Sequence, residues 1–405
     1  MTSIAVFALV VVAYTALSQR LASSYVSAAI VFTGAGALVG LGPMSLRPDM
    51  TSVRVLAEAT LAMILFHDAA QVRPRALLAD RGSLMRLLFI GLPLTILLGW
   101  GLAHVLFPGI GIWLALFVAA ALAPTDAGLG AATVLNPVVP LRVRRILNGE
   151  SGLNDGLATP VVLFALVAAT GSSDLALGPA VVDAALELVI GVVVGVLAGF
   201  VSGRVLSAAS ARGVAIPSLV PLAVAVIPLL AYFGATVSHG NGFIAAFVAG
   251  TAFAETRGHG PAAQDGSLVS AESISTLLGY AVWSLFGLLF VSRVLDFVTW
   301  PNVAFAVFAL TVLRIVPVLV SLVGTGFSVR TQLFIGWFGP RGLATVVFAL
   351  IAFDELGDRV GILQTGVLGM TVLLSVVVHG ITAPPWSAAY GRWVESTKPP
   401  AETAA

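Results

Sequence analysis

The residues best suited to chemistry fall in three short segments: Ala123-Pro124-Thr125-Asp126, Asn148-Gly149-Glu150-Ser151-Gly152-Leu153-Asn154-Asp155 and Gly339-Pro340-Arg341-Gly342. In the second, Ser151 and Asp155 are four apart and share one helix face, as do Glu150 and Asn154. A hydroxyl and a carboxylate one turn apart offer hard oxygen ligands, which suit an alkali cation. The carboxylate also accepts a proton, so Asp155 can take either species. In the first and third segments a proline interrupts an apolar run, where it removes one helix hydrogen bond and clashes with the preceding turn. The carbonyls freed there are potential ligands as well. Asp126 follows Pro124 where a new half-helix would begin, so its carboxylate can offset the positive helix end. Arg341 can either neutralise a facing C-terminal helix end or pair with Glu150. His67 and Asp68 close another apolar run and are candidates for the border of the same cavity. With no cysteine and five scattered histidines, no transition-metal site or cofactor is expected.

The elements that position these residues are membrane helices. Of 405 residues, 59% are apolar and 10% charged, and mean hydropathy is +1.04. Soluble domains carry about 25% charged residues, so a soluble enzyme, a nucleic-acid binder and a disordered chain are all excluded. About thirteen stretches are long enough to cross a bilayer: 3–18, 22–41, 53–71, 85–107, 111–135, 146–170, 178–206, 215–236, 238–255, 269–293, 301–325, 330–353 and 361–384. They are too long for barrel strands. Asp126, Asp155 and Arg341 each lie roughly 14–16 Å into their spans at 1.5 Å per residue, near the midplane of the hydrocarbon core. An ionisable group at that depth lines a cavity or has a partner.

The two proline breaks sit seven spans apart, in the fifth and the twelfth. Spans 1–6 and 8–13 therefore read as inverted-topology repeats joined by span 7, and paired breaks in two halves point to a transporter's binding site. Fourteen basic residues fall on one side of the bundle and four on the other, which puts the N-terminus outside and the C-terminus in the cytoplasm. Residues 1–385 form a single transmembrane domain. Residues 386–405 read as a short cytoplasmic tail, too polar and proline-rich to bury a core.

These segments resemble the cation:proton antiporter superfamily, in its sodium/proton exchanger branch with an Asn-Asp pair. The family's Thr-Asp-Pro motif is similar to Thr125-Asp126-Ala127, with alanine in place of proline. Its Glu-Ser-x-x-Asn-Asp motif stands intact as Glu150 to Asp155, and its arginine motif resembles Gly336 to Gly342. A weaker match runs from Gly242 to Gly250. The resemblance implies that Asp155 binds the proton or cation, with Ser151 and the Thr125 carbonyl as alkali-cation ligands. Asn154 and Asp126 would support the crossing region, and Glu150 and Arg341 would form a charge pair. It further implies a homodimer, with a scaffold of about residues 1–71 and 215–293, a moving core of about 85–170 and 301–384, and residues 178–206 as linker. The family's acidic ligand in span 3 aligns with His67, next to Asp68.

The expected function is exchange of a monovalent cation (sodium, or else potassium or lithium) for a proton by alternating access, electroneutral, in the cell inner membrane. Membrane lipid and the transported ions are then the partners, no nucleic acid is involved, and the protein is not an enzyme. Two rivals fit parts of the sequence. Gly149-Glu150-Ser151-Gly152 with His379 matches the pattern of an intramembrane serine protease, and a cation channel would also bury acidic groups.

Overall fold

A chain surrounded by lipid must satisfy its backbone hydrogen bonds internally. The computed structural model does so with helices throughout, and no strand occurs among the residues it describes: 2–23, 26–42, 48–71, 82–130, 133, 136–170, 177–256, 266–291, 298–356 and 365–403. Of the basic residues that orient the bundle, Arg47, Arg73, Arg75, Arg81, Arg257, Arg293 and Arg359 lie outside the described residues, as do 24–25, 131–132, 134–135, 292–293 and 361–364 of the expected spans.

Among the described residues nine helices are long and apolar enough to cross a membrane. They are α1 (Ile4–Leu21 within Thr2–Ser23), α3 (Met50–Gln71), α4 (Gly82–Leu106), α6 (Leu141–Ala169), α7 (Val182–Ala211), α8 (Pro217–Val237), α10 (Val269–Val291), α11 (Trp300–Ser321) and α14 (Gly366–Thr397). Three shorter apolar helices are α2 (Ala28–Leu41), α5 (Ile112–Ala121) and α9 (Gly242–Thr256). The half-helices α12 (Val329–Trp337) and α13 (Leu343–Leu356) flank the second break, and α15 (Pro400–Thr403) ends the described chain.

Side-chain size decides which helices touch. Helix α7 carries Gly191, Gly195 and Gly199 at four-residue intervals, on the face toward α9. A Cβ on Gly195 would lie 2.5 Å from the Ala245 carbonyl oxygen, and one on Gly199 would overlap that of Ala249. Small residues at a helix contact let two backbones approach closely where lipid offers no hydrophobic drive for association. Helix α9 is thereby clamped between α7 and α3. The main apolar cluster joins α3, α5, α6, α10 and α13 through Leu61, Phe117, Val162, Phe286 and Val347.

Two features depart from the expectations. Span 11 is not continuous: Thr311 leaves helical geometry (φ −116°, ψ −88°), and α11 restarts at Val312 just ahead of Arg314. The tail is not a free solvated segment either. Helix α14 runs through Trp386 to Thr397, and Glu402 is only 2% exposed. Its Oε1 accepts hydrogen bonds from the Ser328 amide (3.0 Å) and the Thr331 hydroxyl (2.6 Å) at the start of α12. Arg142 at the start of α6 donates to the Ala401 carbonyl at 2.5 Å. A helix start leaves backbone donors unsatisfied, and the tail's carboxylate supplies an acceptor that composition alone did not reveal.

Candidate ion-binding site

The two proline breaks cross one another, and each is completed by the other. The Asp126 amide donates to the Pro340 carbonyl at 2.9 Å. The Asp126 carboxylate accepts from Gly128 (2.7 Å) and Leu129 (3.2 Å) on its own segment and from Leu343 (2.8 Å) at the N-terminus of α13. Arg341, 1% exposed, reaches the other way: its Nη1 donates to the Ala123 carbonyl and, at 2.9 Å, to that of Pro124, just past the C-terminal end of α5. A negative group therefore meets a helix N-terminus and a positive group meets a C-terminus, the favourable sense for both dipoles. The Arg341 amide is held by Ser375 Oγ at 2.7 Å.

This geometry corrects the expected Glu150–Arg341 pair. Glu150 instead pairs with Arg314, whose Nη1 and Nη2 lie 2.5 and 2.8 Å from its two carboxylate oxygens. Both side chains are buried, at 3% and 4% exposure. The break at Thr311 starts the turn that carries Arg314. Arg341 is drawn off by the freed carbonyls, which only a donor of its length could satisfy from the second break. The signal for Arg314 was present as a lone arginine in an apolar span, but nothing local in the sequence says which of two arginines Glu150 meets.

Beside the crossing, α6 presents its motif to the first break. Asn154 donates through Nδ2 to Thr125 Oγ1 at 2.8 Å, and Thr125 Oγ1 lies 2.9 Å from Ser151 Oγ. All three side chains are buried, at 2%, 2% and 6% exposure. The chain of bonds fixes α6 against the break with the Thr125 hydroxyl engaged. Its carbonyl accepts no hydrogen bond from any described residue. Asn154 does not line the cavity.

Thr125, Asp126, Ser151 and Asp155 line one cavity of about 360 Å³, joined there by His67 and Asp68 from α3. The opposite wall comes from α10 through Glu272, Ser275, Thr276, Tyr280 and Trp283, of which none was singled out from the sequence. Glu272 was legible only as an acidic residue in the first turn of an apolar span. Asp155 is 7% exposed, and no described hydrogen-bond donor reaches its carboxylate. The lining holds four carboxylates and no lysine or arginine. Clustered acidic groups between low-dielectric walls concentrate cations. Asp126 is tied up by three backbone amides and His67 by a hydrogen bond to Gln71. Asp155, Ser151, Thr125 and Asp68 also present oxygen atoms to the cavity.

The protease reading fails on geometry. His379 Nε2 is bonded to the Trp337 carbonyl at 2.9 Å and its Nδ1 faces Ser375, while Ser151 is bonded to Thr125.

Crossed broken helices, an acidic cavity at the crossing and an all-helical membrane bundle define a secondary transporter fold. The transmembrane sodium/hydrogen exchanger family matches residues 6–389, and the chain belongs to that family. A Na(+)/H(+) antiporter of Schizosaccharomyces pombe is 26% identical over 328 residues, 70% of this chain and 67% of the relative. A structure of the sodium proton antiporter MjNhaP1 from Methanocaldococcus jannaschii at pH 8 superposes with a TM-score of 0.76 at 18% identity, over 94% of this chain and 99% of the other. An electron-microscopy structure of the same antiporter gives 0.75 at 17% identity, over 98% of both chains.

Proposed function

We propose that this chain exchanges sodium ions for protons across a membrane, with Asp155 carrying proton and cation in turn. The observation that carries the reading is a buried, cavity-facing carboxylate that no donor satisfies, beside the Ser151 hydroxyl and the free Thr125 carbonyl. An ionised carboxylate without a partner is costly at that depth. Either a proton or a cation removes the cost, and only the neutralised site crosses the apolar layer readily. Occupancy by one excludes the other, which couples the two fluxes without a further energy source. The neutral Asn154 beside Asp155 leaves a single carboxylate at that position of α6, which favours one-for-one, electroneutral exchange. Asp68 supplies a second carboxylate to the cavity and takes the part of the family's span-3 acid, with His67 held aside by Gln71.

In this reading α4 to α6 and α11 to α14 move as the core against a scaffold of α1 to α3 and α8 to α10, with α7 as linker and two copies forming a dimer in the cell inner membrane. The N-terminus is outside and the C-terminus cytoplasmic, so the cavity opens inward. The test is dye-quenching exchange in proteoliposomes across a pH series, with sodium, potassium and lithium each added in turn. Wild-type protein dissipates a proton gradient when sodium is added, and Asp155→Asn reduces the response to that of protein-free liposomes. Retained coupled exchange in Asp155→Asn would overturn the assignment.

A further inference from the structure

A second cavity of about 360 Å³ lies at the other end of the same helix contact. Helices α3, α6 and α13 line both cavities, the first through Ile64, Asp155 and Ala344 and the second through Glu58, Leu163 and Ile351. Counted along each helix at 1.5 Å per residue, the two are separated by about 9, 12 and 10 Å. That gap is filled by Leu61, Ala158, Val162 and Val347, all fully buried. The second cavity is polar, with Glu58, Glu187, Tyr232, Asn241 and Glu355 in its wall. At its rim Arg54 on α3 reaches across to α13, with Nη1 3.0 Å from Asp354 and 2.7 Å from Glu355, while its Nε holds Glu58 at 2.8 Å.

We propose that this cavity is the outer half of the ion pathway and that the Arg54 bridge to Asp354 and Glu355 is the latch that holds the core where Asp155 faces the inner half. The inference rests on the antiport reading, in which α3 belongs to the scaffold and α13 to the core. Sliding the core carries Asp155 across the thin apolar layer toward the second cavity, and α13 cannot make that movement relative to α3 while one guanidinium holds both ends. The bridge joins α3 to α13 at positions three hundred residues apart in sequence. Its groups are half-exposed, so each ion pair is weak and the latch can be opened repeatedly.

The chain has no cysteine, so a single introduced thiol reports access cleanly. Thr236→Cys lies in the second cavity and marks its side of the membrane, and Ile64→Cys lies beyond the apolar layer in the first. A membrane-impermeant thiol reagent is added from the Thr236 side to reconstituted full-length protein. The Ile64→Cys thiol reacts slowly with Arg54 in place, and about fivefold faster with Arg54→Gln or with Asp354→Asn and Glu355→Gln together, the factor expected for losing weak exposed pairs. From the opposite side, the same variants slow the reaction. An unchanged rate from the Thr236 side, or faster reaction from both sides as in a loosened bundle, overturns the latch. Dye-quenching exchange by the wild type, measured on the same preparation, tests the antiport reading separately, because labelling does not depend on which ion is carried.

Discussion

Replacing Glu150 and Arg314 singly and together distinguishes two wirings of the buried charges. Glu150→Leu leaves the Arg314 guanidinium, 4% exposed, without a carboxylate, and Arg314→Met leaves Glu150 in the same state. Breaking one side of a buried pair costs about 3–5 kcal/mol, whereas replacing both partners by apolar groups of similar volume costs far less. The double variant should therefore fall short of the summed single effects by about 3 kcal/mol, a coupling of that size being characteristic of directly bonded groups. That is roughly 150-fold in the folding equilibrium. The cycle of Glu150→Leu with Arg341→Met should give under about 1 kcal/mol, since the two groups share no hydrogen bond and the Arg341 cost lies in the Ala123 and Pro124 carbonyls. The assay is reversible unfolding in mixed micelles followed by far-ultraviolet circular dichroism. A larger coupling to Arg341 than to Arg314 would refute the wiring and restore the pair expected from the sequence.

Asp126→Ala strips an acceptor from three backbone amides that are exposed or partly buried, so it should lower stability by about 1 kcal/mol, the net worth of a hydrogen bond where water can replace the lost acceptor, while the sodium concentration for half-maximal exchange in the folded fraction stays unchanged; a weakened apparent sodium affinity at unchanged stability would make Asp126 a ligand. At the tail, burial pushes the Glu402 carboxyl up, but hydrogen bonds from Thr331 and Ser328 outweigh it and hold the group below its ordinary value. A depressed value means that docking of α15 is fully supported above about pH 4.3, the unfolded carboxyl's range, and is lost as pH falls through the lower folded value. Amide exchange at Ser328, corrected for its intrinsic pH dependence, should quicken only in that acid window, and at neutral pH in Glu402→Gln; protection that persists in both cases would show that the tail does not cap α12.

Much of the architecture was legible because lipid imposes a simple grammar. Apolar runs, two prolines at midplane depth and the intact Glu150 to Asp155 motif led to the crossing and to the Asp155 wall of the cavity. What escaped depends on which distant group wins a competition. Arg314 and Arg341 are alike in sequence, and only the kink at Thr311 and the vacant carbonyls at the first break decide that one takes Glu150 and the other the helix end. Glu272 and Tyr280 became cavity residues through the packing of α10 across the bundle, which no local spacing encodes. The buried Glu402 was missed for a related reason: composition describes what a segment can bury, not whether a distant helix start lacks an acceptor. Asn154 gives its amide to the Thr125 hydroxyl and stands outside the lining of the cavity.

The reciprocal capping of the breaks has a bearing on how the protein is made. Residue 126 finishes the start of α13, and residue 341 finishes the end of α5. During synthesis the first interrupted helix must wait, its carbonyls open, until more than two hundred further residues have entered the bilayer. Neither repeat is self-sufficient, so a polypeptide truncated after α7 would leave an unsatisfied midplane defect. An ancestral single-repeat protein with these breaks would have needed a second copy, inserted upside down, to close it.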